Sequence, residues 1–531
     1  MRYDNGCRSG ARGGRVRRLF MGWLVALAAL APPQPATAAD AAGSPPPLRP
    51  AIAAVLPFAN GTGDPGMDWI GIALQDCINV DLWYVAALHT WDLPNMVGQA
   101  QEPPLAMAVD DPAEAAGRAA KFGAELVFWG RYRVAGDQVT LVARLARAGA
   151  AAPPAERSAA APLATLTDLA SKLILELLDA EKIPVTPEER ARILLPKTRS
   201  ADALRSNALG FEPYVRYGLK HEEALLKEAL KQYEAAVKAD AAYAEAWNNL
   251  AWAQFVAKDY GQAVPSFERA VGLRVDLIDA LVGLGKTKGA AAPDDPSALP
   301  PLEAAARLNP SLAGHRLELA EVLEALGQPQ RAVQELEAAE RVVAGRIPYM
   351  EGNIHLRVAG LLVRKGDLDA AAARFGRARS VYQAAGNKAG EAGVLRAMGD
   401  LSATRRDFEA ARRHYGEALA LVRQLGDRRV EGVLHNALGM AALNGGDGPA
   451  AERHFDDGLK VARDGGDKSG QVLLLFNLGL VVAARGDLQR AQGHLVEALL
   501  LARQLGDQEA ERAIQERLKQ IRDALGNRDS T

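Results

Sequence analysis

The sequence predicts an α+β protein in which a small α/β unit precedes an all-α repeat solenoid. Hydrophobic residues make up 49% of the 531 residues but aromatic residues only 5%, a composition that favours helices packed through small and aliphatic side chains. Short apolar runs separated by turn residues occur before about residue 182. Farther along, glycines recur at a fixed interval, which is the sequence signature of a repeat array.

The charge and cysteine content exclude several classes of function. Lys and Arg number 63 and Asp and Glu number 65, for a formal charge of −2, so we expect no broad basic surface that binds nucleic acid or an anionic membrane. The two cysteines, Cys7 and Cys77, exclude a disulfide framework and a cysteine-based zinc site. Cys77 has an apolar neighbour and is expected to be a buried core residue rather than a nucleophile.

Residues 1–38 are predicted to be a secretory signal peptide. Arginines precede an apolar run, Leu19–Ala31, and an A-x-A site follows it, which is the usual order of such a segment. The run of 13 residues is shorter than the roughly 20 that span a bilayer, although a retained anchor is the alternative. Cleavage near Ala38 or Ala39 would make the mature protein periplasmic or secreted.

The route of export stays open between two signals. Arg17-Arg18 resembles a twin-arginine signal, although Val16 stands where Ser or Thr is usual, and the ordinary secretion route is slightly favoured. Residues 39–50, rich in Ala, Gly, Pro and Ser, form a linker. No later segment is apolar enough to predict a membrane span.

Residues 51–182 are predicted to form the α/β unit. Its first segment is a short apolar run typical of a buried strand, and Asp111-Pro112 gives a helix both a capping residue and a proline in its first turn. Gly136-Asp137 is a hairpin turn between two strands. The predicted elements are strands at Ala51–Phe58, about Tyr84–Leu88, from Leu126 and at Val139–Leu145, and helices at Trp69–Ile78, Pro112–Ala120 and Thr165–Leu178.

A glycine pattern in this unit offers an alternative function. Gly61, Gly63 and Gly66, with Asp81 twenty residues on, match the fingerprint of a dinucleotide-binding loop. The Asp-Pro pair between the last two glycines places a negative charge where a pyrophosphate would bind and removes an N–H donor. The hairpin also breaks the βαβ alternation of such folds. A nucleotide- or ligand-sensing module that signals through the array is therefore the alternative hypothesis.

Several segments of the same unit follow a known pattern. They are Ala54–Phe58, Asn60, Gly63–Pro65, Trp69–Gly71, Leu74, Ala124–Val127, Gly130, Arg133, Gly136-Asp137 and Thr186–Arg190. Together they resemble the TolB amino-terminal-like domain, which is similar in layout to part of the CsgG curli secretion protein. The resemblance covers about 140 residues and implies envelope assembly or protein contacts rather than a known reaction.

The remainder of the chain shows one period in four independent series of residues. Each series advances by 40 residues: Gly386, Gly426, Gly466, Gly506; Gly366-Asp367, Arg406-Asp407, Gly446-Asp447, Gly486-Asp487; Gly399, Gly439, Gly479; and Ala371, Ala411, Ala451, Ala491. Each unit is predicted to be two helices, in which the Gly ends one helix and the Asp caps the next. Small residues let the two helices approach closely.

These units resemble the tetratricopeptide repeat, and earlier units are nearer to its 34-residue form. Trp247, Leu250, Ala251, Ala263, Phe267 and Ala270 follow its pattern. The prediction is an array over 202–526, preceded by a connector at 183–201. We expect seven or eight units and a capping helix from about Gln508 to Leu525. The resemblance is specific for the fold and gives no partner.

No catalytic, metal-binding or cofactor-binding residue is predicted. His414, His454 and His494 are 40 apart, but neighbouring repeats lie about 10 Å apart, which is too far for two imidazoles to share one ion easily. Repeat duplication explains the series. No metalloprotease, hydrolase or P-loop motif occurs.

The predicted binding surface is the groove lined by the first helix of each unit. The resemblance places six residues of the last units there: Asn436, Met440, Leu443, Phe476, Leu480 and Ala483. An apolar stripe with a polar anchor suits a peptide or a partner helix, although Phe476 and Leu480 could instead pack against the capping helix. The sequence thus predicts a non-enzymatic, exported scaffold that binds proteins or peptides of the cell envelope.

Overall fold

The computed structural model describes residues 49–91, 96, 104–149 and 152–528. The predicted signal peptide and most of the predicted linker lie outside the described residues. None of the helices within these ranges combines the length and the apolar character needed to cross a membrane.

A mixed sheet forms the amino-terminal part of the described chain. Its strands are β1 (Ala51–Val55), β2 (Ala59–Asn60), β3 (Leu88–Trp91), β4 (Leu126–Ala135), β5 (Gln138–Arg147) and β6 (Ala155–Pro162). The order is β3-β1-β4-β5-β6, with β2 beside β4. The pairs of β1 with β3 and with β4 are parallel, whereas β4–β5 and β5–β6 are antiparallel. The hairpin at Gly136-Asp137 joins β4 to β5, as predicted.

Two strands differ from the sequence prediction. Residues 84–87 do not form a strand, because turns that follow the helix at Trp69–Leu82 occupy them, and β3 begins only at Leu88. Strand β6 was not predicted. Its alternating pattern of half-buried and exposed residues carries few β-forming side chains, and pairing with β5 supplies the missing preference.

Three helices pack on the sheet: α1 (Trp69–Leu82), α2 (Pro112–Lys121) and α3 (Leu166–Ala180). The Asp111 carboxylate accepts from the Glu114 backbone N–H and caps α2, as predicted. Gly71 and Gly130 lie against Phe58: a Cβ would come within 2.3 Å of its carbonyl oxygen or 2.6 Å of its ring. Thirteen of the fourteen residues of α1 are buried, with Asp76 the exception, so α1 is covered on more than its sheet-facing side.

The connector contains one short helix, α4 (Pro187–Ile193), which begins with a capping box between Thr186 and Glu189. The Glu189 carboxylate also accepts from the Ala86 backbone N–H at 2.8 Å. Farther on, Lys197 Nζ lies 2.8 Å from Asp81 Oδ1, and both side chains are almost fully buried. These bonds hold the connector against α1.

Eight helical pairs follow between residues 201 and 505. Their helices are α5 (Ala201–Lys220), α6 (Glu223–Ala239), α7 (Ala244–Val256), α8 (Tyr260–Leu273), α9 (Ile278–Ala291), α10 (Leu299–Leu308), α11 (Ala313–Ala325), α12 (Pro329–Val343), α13 (Pro348–Lys365), α14 (Leu368–Ala384), α15 (Lys388–Thr404), α16 (Phe408–Leu425), α17 (Arg428–Asn444), α18 (Gly448–Asp464), α19 (Lys468–Ala484) and α20 (Leu488–Leu505). A last helix, α21 (Gln508–Arg528), packs against α20.

The 40-residue series have the structural roles that the sequence predicts. Gly426 ends α16 in the left-handed conformation, and the Asp427 carboxylate accepts from the Val430 backbone N–H to cap α17. Arg406 occupies the equivalent left-handed position without being glycine, at φ 62°. Gly399 allows close approach, because a Cβ there would lie 2.4 Å from the Tyr415 ring.

The sheet and the first half of the array share one hydrophobic core, which runs from Ile52 to Leu361. Polar bonds across this junction fix it. Asn309 Nδ2 donates to Trp83 O at 2.7 Å, Ser311 Oγ donates to Ala86 O at 2.7 Å, and His89 Nδ1 lies 2.9 Å from Ser311 O. The two parts therefore pack as one body, an arrangement that nothing in the sequence suggested.

Candidate functional site

The first helices of the early pairs face α1 and β3 rather than solvent. A cavity of about 400 Å³ remains between them. Its wall combines side chains of α1 and β3 with side chains from α5, α7, α9 and α11. The amino-terminal part of the array groove is thus occupied by the α/β unit, apart from this cavity.

The cavity wall is aromatic and acidic. The lining side chains include Phe211, Tyr214, Tyr233, Trp83, Trp91 and Trp252, and the carboxylates Asp76, Glu245, Asp279 and Glu318. Two of these carboxylates form ion pairs at 2.7 Å, Glu245 with Arg274 and Glu318 with Lys286.

The remaining two carboxylates have no ion-pair partner of this kind on the described wall. Asp279 Oδ2 accepts from Asn248 Nδ2 at 2.7 Å and from Trp252 Nε1 at 2.8 Å. Burial raises the pKa of Asp76 to about 7, and the charges of Glu245 and Asp279 raise it further, against a weaker opposing effect of a hydrogen bond from Asn249. The cavity therefore carries excess negative charge above neutral pH.

The structure does not place the glycine fingerprint in a nucleotide site. Asp64 uses its own carboxylate to accept from the Gly66 backbone N–H at 2.8 Å. Asp81, the acidic residue of the fingerprint, has no exposed surface and pairs with Lys197. A ribose could not reach its carboxylate. Cys77 is buried, as predicted, and burial raises the pKa of its thiol to about 12.

A second concave site lies near the carboxyl terminus, on α17 and α19. This cleft of about 340 Å³ is lined by two arginines, by the exposed apolar side chains Val433 and Leu473, and by Asn436. Val433 is 45% exposed and Leu473 49% exposed. The arginines are Arg428 and Arg429. We call this site the C-terminal cleft.

One of the six residues predicted to bind a partner lines the C-terminal cleft. Asn436 does so, and its Oδ1 accepts from Asn477 Nδ2 at 2.7 Å. Met440 is exposed on the same helix, and Leu480 is half-buried on α19. The other three are half-buried and pack against the C-terminal core: Leu443, Phe476 and Ala483.

Sequence analysis missed the apolar pair that lines the cleft. Val433 and Leu473 stand 40 residues apart, so they occupy equivalent positions in successive units. An apolar residue repeated at an exposed helical position was the available signal.

The histidine series is dispersed. His414 Nδ1 lies 3.3 Å from Ser402 Oγ, and the His454 ring lies 5.9 Å from the His435 ring. Among the described residues no group of three potential ligands could hold a metal ion. The contacts of these histidines are therefore with neighbouring helices.

The stacked helical pairs place the chain in the class of α-helical repeat proteins. Residues 226–274, which span α6 to α8, match the family described as tetratricopeptide repeat, so the array contains this repeat. No curated protein matches the sequence significantly.

Similar solved structures include other helical proteins. Yeast Tom70 is 15% identical, with 61% of this chain and 64% of that chain covered and a TM-score of 0.43. The hetero-tetramer Cut9–Hcn1 of the APC/C is 13% identical, with coverage of 67% and 75% and a TM-score of 0.36. MamA from Desulfovibrio magneticus RS-1 is 20% identical, with coverage of 34% and 96% and a TM-score of 0.30. These values carry no argument about function.

Proposed function

We propose that the protein is a non-enzymatic, exported scaffold that binds envelope proteins or peptides through the carboxyl-terminal part of its array. The observation that carries this proposal is the pair of exposed apolar side chains, Val433 and Leu473, in the C-terminal cleft. The α/β unit fills the groove of the first pairs and leaves the later first helices available for a partner.

The chemistry of the cleft favours a peptide with apolar side chains and an acidic group. Val433 and Leu473 would lose water-exposed apolar surface on binding, which is worth roughly 25 cal/mol per Å². Arg428 and Arg429 stand at the start of α17 and are exposed. A carboxylate of the partner could pair with either guanidinium.

Export rests on the sequence of residues 1–38 and on the TolB-like segments. Fractionation of a Gram-negative host should find a processed form that begins at Ala39 or Asp40 in the periplasm. Amino-terminal sequencing of that form gives the cleavage site. An unprocessed protein in the cytosol would contradict the export proposal while leaving the cleft proposal intact.

The cleft is tested by crosslinking in the native host, with Leu473→Glu compared with the parent. A buried hot-spot side chain contributes about 2 kcal/mol or more, so we expect the yield of each specific crosslinked partner to fall at least tenfold. Mass spectrometry identifies and quantifies the partners.

Leu500→Glu is the matched control. Leu500 is 55% exposed and lies on α20, the second helix of its pair, so this variant should retain full capture. Equal capture by both variants, or equal loss in both, would show that the C-terminal cleft is not the binding surface.

A further inference from the structure

The cavity between α1, β3 and the first helices of the early pairs has the size of a ligand site. Its volume of about 400 Å³ falls within the roughly 300–1,000 Å³ of small-molecule pockets. Carboxylates, amides and aromatic rings converge on it from both parts of the protein. This site is separate from the C-terminal cleft, so an inference about it does not rest on the proposed function.

Four buried hydrogen-bond acceptors on the wall have no partner. They are Gln75 Oε1, Asn79 Oδ1, Thr90 Oγ1 and Asn248 Oδ1, and each residue is less than one-tenth exposed. Buried polar atoms are nearly always paired, because leaving one unpaired costs about 1–3 kcal/mol. Unpaired acceptors lining a cavity therefore indicate a ligand with hydrogen-bond donors.

The orientation of two of these amides is fixed by the bonds of their nitrogen atoms. Gln75 Nε2 donates to Val55 O at 3.4 Å, and Asn248 Nδ2 donates to the Asp279 carboxylate at 2.7 Å. Neither of these oxygens can donate, so exchanging the amide N and O would lose the bond. The amide oxygens are thus the atoms left for a ligand.

The charge of the wall selects a cation. None of the described lining residues is Lys or Arg, and Asp76 and Asp279 supply negative charge that the ion pairs of Glu245 and Glu318 do not use. Two histidines also face the cavity. Burial lowers the pKa of His89, and it lowers the pKa of His315 to about 4, so both rings stay neutral near pH 7.

Aromatic rings supply the remaining wall. The faces of Trp and Tyr side chains attract cations, by about 2 kcal/mol when the cation is desolvated. Trp83, Trp252 and Tyr214 line this cavity. The indole Nε1 of Trp91 has no partner, so it could donate to an oxygen atom of the same ligand.

We propose that this cavity binds a small organic cation of the ammonium or guanidinium class, with Asp76 as its counter-ion and the unpaired amide oxygens as its hydrogen-bond acceptors. The aromatic rings cover its apolar part. Because α1 and the array each supply part of the wall, such a ligand would contact both parts of the protein at once.

The ionisation of Asp76 makes this binding depend on pH. A pKa of about 7 in the free protein means that the carboxyl group is mostly charged at pH 8 and mostly protonated at pH 6. A proton then competes with the cation, so affinity should fall about tenfold between pH 8 and pH 6.

Isothermal titration calorimetry of the full chain with L-argininamide tests the proposal. This probe carries ammonium and guanidinium donors and one carbonyl acceptor, without a carboxylate. We expect saturable binding at pH 8, about tenfold weaker binding at pH 6, and at least tenfold weaker binding of tetramethylammonium, which is a cation without N–H donors.

Asp76→Asn should weaken L-argininamide binding at least tenfold and abolish the pH dependence. The amide keeps an oxygen for the Asn249 hydrogen bond and removes a buried charge, so the variant should melt no lower than the parent at pH 8. Asp294→Asn, at an exposed position, is the control and should bind as the parent does.

Three results would each overturn the proposal: no saturable binding of L-argininamide by the parent, unchanged binding by Asp76→Asn, or equal affinity for tetramethylammonium. If Asp76→Asn melts below the parent, the pH dependence of the parent itself decides. Affinity that is the same at pH 6 and pH 8 then excludes Asp76 as the counter-ion.

Discussion

Lys197 and Asp81 form a buried ion pair that ties the connector to α1. Their side chains are 2% and 0% exposed, with Nζ 2.8 Å from Oδ1. Ser171 completes the cluster, since its Oγ donates to Asp81 Oδ2 at 2.6 Å and accepts from Lys197 Nζ at 3.0 Å. Burial alone would lower the pKa of Lys197, but the nearby carboxylate of Asp81 raises it, so the ammonium group stays charged.

Lys197→Met should lower the free energy of unfolding by about 3–5 kcal/mol, because it leaves the Asp81 charge buried without a partner. Chemical denaturation measures the loss. The double variant Lys197→Met, Asp81→Asn removes both charges and should recover most of it. A double variant as unstable as the single one would show that packing, rather than charge, accounts for the effect.

Among the helical elements, α15 holds two glycines in opposite environments. A Cβ at Gly399 would lie 2.4 Å from the Tyr415 ring, whereas a Cβ at Gly393 would meet nothing within 4 Å. Gly399 therefore serves the close packing of α15 on α16. Gly393 has no such steric requirement.

Gly399→Ala should destabilise the protein by about 1–3 kcal/mol, the usual cost of overpacking. Gly393→Ala on the same helix should be stabilising by about 0.5–1 kcal/mol, because alanine favours the helix. Thermal melting of the two variants beside the parent checks both signs. Destabilisation by both would contradict the steric explanation.

The helical elements of the array could be predicted because their signals are local. Gly426 and Asp427 end one helix and cap the next within the span of a few residues. Strand β6 has no such local signal, since pairing with β5 determines it. Asn436 was placed correctly in the C-terminal cleft, but Phe476 packs on the core, because the packing of α21 and α20 depends on the whole unit.

At the scale of the whole molecule, the α/β unit and the first half of the array depend on contacts between distant residues. Asn309 has no exposed surface, and its Nδ2 donates to Trp83 O, 226 positions away in the sequence. The Arg346 guanidinium pairs with the Glu125 carboxylate across the same junction. No sequence pattern indicates such pairs, so the cavity that they enclose could not be predicted.

Asn309→Ala should reduce amide protection of α1, β3 and α11 together, because it leaves Trp83 O without this buried donor, at a cost of about 1–3 kcal/mol. Hydrogen exchange followed by mass spectrometry measures the change. Protection of α17 to α20 should not change, since these helices belong to other cores. Asn444→Ala, at an exposed position, is the control. Loss confined to α11 would contradict docking as one body.

The junction also bears on how copy number in the array can change. Its last described contacts with the α/β unit or the cavity involve Arg346 and Met350, and the strict 40-residue series begins shortly afterwards, at Gly366. From there each pair meets only its neighbours. Duplicating or deleting one module, such as residues 407–446, would recreate the same interfaces at its ends, whereas an insertion among the earlier pairs would displace the wall that α1 requires. Lineages of this protein should therefore vary in length on the carboxyl-terminal side.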